Sequence, residues 1–136
     1  MPEKTTIRKA KQDLREGKSP TTAAGEFVHE EIEHVRRGKH GARSTKQAIA
    51  IGLSKARRAG VPLKPPARGQ TTERTRRSAE RAYEVGQGKR KAKAPSRRRS
   101  RAMEGVLKRE RRGVASKRAL SAQAKRAAAQ RRRRRR

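Results

Sequence analysis

The last third of this chain is a segment that no hydrophobic core can hold in shape. Residues 89–136 carry 22 basic and 2 acidic side chains, and they close on six consecutive arginines, Arg131 to Arg136. Such a segment repels itself and cannot offset its chain entropy by burial. It is expected to stay extended and disordered until an anion neutralises it. Two stretches in it are expected to become helical on neutralisation, Arg97 to Arg112 around Met103, Val106 and Leu107, and the Ala-rich Ser116 to Gln130.

The rest of the chain is only mildly richer in apolar residues. Leu, Ile, Val and Phe together make up 16 of 136 residues, below the roughly 20% floor that, with high net charge, marks disorder. A globular enzyme with one full core is therefore not expected. No apolar run approaches the roughly 18 residues of a membrane span. Met1-Pro2-Glu3-Lys4-Thr5 has no apolar stretch behind it, so no secretory leader is expected. Zero cysteines exclude disulfides, thiolate metal sites and cysteine nucleophiles. The net charge of +30 points to a polyanion as partner, and Arg outnumbers Lys 28 to 14. Guanidinium forks match phosphate oxygens bidentately, so the arginine surplus favours nucleic acid over an acidic protein.

Helix signals recur along the first 86 residues, and strand signals do not. The first predicted helix spans Thr5 to Glu16, with Ile7, Ala10 and Leu14 on one face and Gly17 as its stop. The second has Ser19 as N-cap, Pro20 at its first position and a stripe of Ala24, Phe27, Val28, Ile32 and Val35 before Gly38. The third opens on the capping box Ser44-Thr45-Lys46-Gln47, shows Ala48, Ile49, Gly52, Leu53 and Ala56 on its inner face, and stops at Gly60. The expectation is an all-α protein. A marginal three-helix unit at 1–60 is followed by a Pro-rich linker at 61–71 and a short fourth helix at 72–86. Residues 87–136 form a basic, largely disordered tail. A core this small is expected to be stable only as a homo-oligomer (a dimer) or on its ligand.

Catalytic and metal constellations are thin. In His29-Glu30-Glu31-Ile32-Glu33-His34 the histidines are five apart, about 140° around a helix, whereas a zincin needs four. The expected pairs are His29 with Glu33 and Glu30 with His34 on a solvated face. Asp13 is the single Asp, and no Ser/His/Asp arrangement stands out. Gly86-Gln87-Gly88-Lys89-Arg90-Lys91 lacks P-loop spacing and a preceding strand. No catalytic residue, cofactor or metal site is expected.

Nucleic-acid features fit better. Residues 38–47 present two glycines, Lys39, His40, Arg43 and Lys46 beside a capped helix start, a candidate phosphate cradle. Lys55, Arg57 and Arg58 extend a basic surface at the far end of that helix. In the tail the candidates are Lys89, Arg90, Lys91, Arg97, Arg98, Arg99 and Arg101, with Arg131, Arg132, Arg133, Arg134, Arg135 and Arg136. The six-residue connection between helices two and three is long for a helix-turn-helix, which favours a helical hairpin that touches backbone. Phe27 and Tyr83 are the only aromatics, so base stacking is not expected, and double-stranded DNA or structured RNA held through phosphates is.

Lys39-His40-Gly41 together with Ser44-Thr45-Lys46-Gln47-Ala48-Ile49-Ala50-Ile51-Gly52-Leu53-Ser54-Lys55-Ala56-Arg57-Arg58-Ala59-Gly60 resembles the signature of a family of small, highly basic bacterial proteins, described as DNA-binding or as plasmid stabilisation proteins. The resemblance covers residues 38–60 closely. It implies a cytoplasmic, nucleoid-associated location and carries no catalytic residue over. The tail is similar to linker-histone tails and protamines in composition only. The expected function is that of a non-enzymatic, nucleoid-associated, histone-like DNA-binding protein. RNA or ribosome binding is compositionally equal. A third reading is a protein-interaction module that uses Glu26, Glu30 and Glu33 of helix two while the tail tethers it to DNA.

Overall fold

The computed structural model describes residues 2–136. In chain order they form α1 (Lys4–Arg15), α2 (Pro20–Arg36), α3 (Thr45–Arg58), α4 (Glu73–Gly86), α5 (Arg97–Arg109), one 3-10 turn (Gly113–Ala115) and α6 (Lys117–Arg135). Among the described residues there is no strand, and no helix is long and apolar enough to cross a membrane. The first four helices lie within a residue or two of those the capping and periodicity signals predict.

Their ends share one device. After each of α1 to α4 a glycine (Gly17, Gly38, Gly60 and Gly88) takes a φ between 75° and 102°, a backbone conformation that only glycine adopts cheaply. For α3, the Gly60 amide then donates to the Arg57 carbonyl at 3.2 Å and the Val61 amide to the Ala56 carbonyl at 3.1 Å, which satisfies carbonyls the helix leaves open. At the other end of α3, the Gln47 amide donates to Ser44 Oγ at 3.1 Å, and the Gln47 side chain accepts from the Arg43 amide at 2.6 Å. The box closes one residue earlier than predicted, on Arg43 rather than on Ser44 itself.

The chain divides into two compact units, residues 1–31 with 50–94, and residues 32–49 with 95–136. The first unit holds a small core. Phe27 is fully buried among Ala10, Ala23, Ala24, Ala56 and Val61, with Ile7, Leu14, Leu53, Ala59 and Leu63 packed around them. Small side chains let the backbones come close. At Gly52 of α3 a Cβ would stand 2.7 Å from Val28 Cα on α2, so no larger residue fits that crossing. Gly86 is the last residue of α4. A Cβ there would overlap the Arg57 carbonyl, so glycine allows the end of α4 to seat on the end of α3.

Polar burial completes this unit. Glu31 is fully buried and ion-paired with Lys55 of α3. Glu30, also buried, accepts from the Glu3 amide at 2.6 Å. Arg57 is buried too, and its guanidinium donates to the carbonyls of Leu63 (3.1 Å) and Lys64 (3.3 Å), tying down the Pro-rich linker. Burial lowers the pKa of that guanidinium from its ordinary value. Arginine nonetheless stays charged in proteins.

The second unit overturns the expected fold class in its most specific part. Residues 97–109 and 117–135 are α-helices in the chain itself, not a long disordered tail that waits for an anion. Hydrogen bonds supply what apolar burial cannot. The Gly41 amide donates to the Leu107 carbonyl at 2.7 Å, and the Ala42 amide to the Arg111 carbonyl at 2.9 Å. Thr45 Oγ1 donates to the Val114 carbonyl at 2.6 Å, and Arg36 Nε to the Ala115 carbonyl at 2.8 Å. Fully buried Ala42, Ala48 and Ala115 fill the space between. Ser116 then caps α6 by accepting from the Ala119 amide at 3.1 Å, and alanine, the best helix former, carries the helix onward. Composition registered the repulsion among the arginines but not these backbone partners.

Candidate nucleic-acid interface

The predicted phosphate cradle is already occupied by the chain's own backbone. Of its amides, those of Gly41 and Ala42 bond the carbonyls of Leu107, in the last turn of α5, and of Arg111 beyond it, and those of Arg43 and Gln47 are used in the capping box. A Cβ at Gly41 would overlap the Glu110 carbonyl. The loop is therefore a docking seat for residues 107–111. What it still offers an anion are side chains, since Lys39, Arg43 and Lys46 are exposed. His40 is half-buried, with Nδ1 2.8 Å from the Gly41 carbonyl and its ring edge-on to His34 at 6.1 Å.

The basic row at the end of α3 separates by face. Lys55 pairs with Glu31, and Arg57 points inward to the linker carbonyls, so both serve the first unit's interior. Arg58 points outward. Because α4 seats on α3 through Gly86, Arg58 meets Arg90 and Lys91 around a cleft of about 420 Å³, which Arg81 and Lys93 also line. Among the described residues Arg58, Arg81, Lys91 and Lys93 pair with no carboxylate, whereas Arg90 Nε holds Glu84 at 2.7 Å. Lys89 is exposed beside them. The contrast is with α4's other face, where Arg76 lies 3.4 Å from Glu80 and bonds Glu73 as well. That hydrogen bond from Arg76 holds the Glu73 carboxyl below its ordinary range.

In the second unit, Lys46 on the first turn of α3 and Arg133 on α6 line a groove of about 360 Å³ with Arg126, Gln123 and Gln130. Positions 123, 126, 130 and 133 share one face of α6, by the three-and-four spacing of a helix. No residue of α5 or α6 is buried. Arg97, Arg98, Arg99 and Arg101 stand exposed on the first turns of α5. There Ser96 makes no side-chain cap, and no acid offsets the positive end of the helix dipole. Arg131 to Arg135 form the last turns of α6, where cations suit the negative end, and Arg136 follows them.

Sequence reading missed Arg81, Lys93 and Arg126. The signal for Arg126 was its spacing of seven from Arg133, readable only once the tail is taken as helical. Arg81 needed the docking of α4 on α3. Most of the acidic face of α2 is used within the protein. Glu30 and Glu31 are buried, so this is not the solvated face expected, and Glu33 pairs with Arg36 at 3.3 Å and Arg37 at 3.9 Å, while a Glu30 carboxylate oxygen and a His34 ring nitrogen lie within 4.8 Å of each other. Comparison with family models, curated proteins and solved structures finds no match to this chain. The resemblance at residues 38–60 rests on its own residues.

Proposed function

We propose that this chain is a non-enzymatic DNA-binding protein of the nucleoid-associated, histone-like kind, which holds duplex phosphates largely without regard to sequence. One observation carries the reading. No residue of α5 or α6 is fully out of water, and the two helices display cations in rows within a segment of 22 basic and 2 acidic residues. The first turn of α5 adds to it, because three arginines at the positive end of an uncapped helix repel each other and the dipole. A phosphate backbone laid across that end relieves both. Phe27 is fully buried and Tyr83 half-buried, which leaves no aromatic platform for single strands and favours a duplex.

The mechanism differs from a flexible polycation collapsing on DNA. The cations sit on helices, so spacing along the duplex is set in advance and less ordering entropy is lost on binding. The test is binding of the full chain to one fluorescent duplex, titrated across salt. With about 8 phosphates neutralised, the log–log slope is near −7. Replacing Arg131 to Arg136 by Gln in the full chain flattens that slope by several units. A wild-type slope shallower than about −2 sinks the reading, and a preference above about tenfold for structured RNA in direct competition transfers it to RNA.

A further inference from the structure

We infer that the cleft of the first unit is a separate site for a free nucleoside polyphosphate. Its walls and its floor differ in kind. Arg58, Arg81, Lys91 and Lys93 converge on it with no acidic residue in the lining, and Ala82, which is buried, forms the floor with Val85. Its volume of about 420 Å³ falls within the roughly 300–1,000 Å³ of small-ligand clefts. A ring of cations over an apolar floor matches a ligand with several phosphates at one end and a flat, weakly polar body at the other. Inorganic polyanions satisfy the ring alone. A duplex backbone presents single phosphates spaced along a rod and has no body to place on Val85.

The site is built rather than scattered. Arg58 ends α3, Arg81 is mid-α4, and Lys91 and Lys93 lie beyond α4's stop. They meet because Gly86 packs on the Arg57 carbonyl and Gln87 Nε2 donates to the Gly60 carbonyl at 3.2 Å. Arg90 is steadied by Glu84, whose single charge leaves the cleft strongly positive. The cleft presents these like charges to one small space with no lining carboxylate, and a polyphosphate supplies the opposite charge.

The experiment is calorimetric titration of the full chain at physiological salt with adenosine triphosphate and, in parallel, with inorganic triphosphate. The expected result is one saturable site per chain for adenosine triphosphate. Arg58→Glu and Arg81→Glu each weaken it at least tenfold, and replacing Arg131 to Arg136 by Gln changes it less than twofold. Inorganic triphosphate binds at least fivefold more weakly. Arg58 and Arg81 are both exposed, so circular dichroism of the variants matches wild type. Many weak sites, lost equally in the tail variant, overturn the proposal in favour of general charge attraction. Equal binding of the two triphosphates overturns it as well, since the floor then holds nothing. The duplex titration above reads the DNA proposal on its own, so either can fail alone.

Discussion

The Gly41 amide donates to the Leu107 carbonyl at 2.7 Å, and through that bond the arginine-rich end of the chain is held on the loop between α2 and α3. The approach leaves no room for a side chain, because the Glu110 carbonyl lies where a Cβ would go. Gly41→Ala is therefore expected to unseat residues 107–115, with a loss of about 2 kcal/mol or more from overpacking and the two broken bonds. Hydrogen exchange reads it directly, as the Gly41 and Ala42 amides lose protection while those of α1 keep it. Unchanged protection at Ala42 refutes the docking. The same contact makes truncation of the tail a poor test of DNA binding, since it also strips Gly41 and Ala42 of their acceptors.

Phe27 is fully buried in the first unit. Phe27→Ala is expected to cost about 3–5 kcal/mol in urea unfolding, the usual range for deleting a buried aromatic. A small change with no cooperative transition in either protein means the alanine-rich core is molten.

The ion pair of Glu31 and Lys55 has one member fully out of water. Lys55→Met removes the ammonium that pairs with the buried Glu31 carboxylate and is expected to destabilise by about 3–5 kcal/mol. Adding Glu31→Leu to it recovers most of the loss, because two apolar side chains replace a pair whose desolvation was costly. Destabilisation that simply adds in the double variant, rather than being relieved, shows that the pair does not act as a unit.

Glu73 gives a pH dependence of defined sign. Its carboxyl is held below its ordinary value first by the hydrogen bond from Arg76. A carboxylate depressed in the folded state contributes stability above its unfolded pKa of about 4.3, and that contribution disappears as pH falls through the depressed value. Helicity of α4 is expected to drop in that acid window in wild type. Glu73→Gln should show its deficit at neutral pH and converge with wild type at the acid end. A deficit that persists undiminished in strong acid assigns it to something other than the charge.

The first four helices were legible in the sequence because each is specified locally. Ser19 and Ser44 mark starts, Gly17, Gly38 and Gly60 mark stops, and the stripe around Phe27 marks the inner face. The cationic character of the candidate interface was equally plain in Arg131 to Arg136. Neighbouring Arg57 and Arg58 show where such reading stops. A helix turns about 100° between them, so only one can face the interior, and which one follows from where the linker carbonyls of Leu63 and Lys64 come to rest.

The sequence by itself determined an all-helical, polycationic chain with one small aromatic-centred core. The tertiary structure alone decided that the tail is folded and that Arg58, Arg81, Lys91 and Lys93 share a cleft. The physical reason is the kind of interaction involved. Apolar periodicity and capping are written in residues a few positions apart, whereas residues 107–115 are held by backbone carbonyls, which every residue carries and no side-chain pattern advertises.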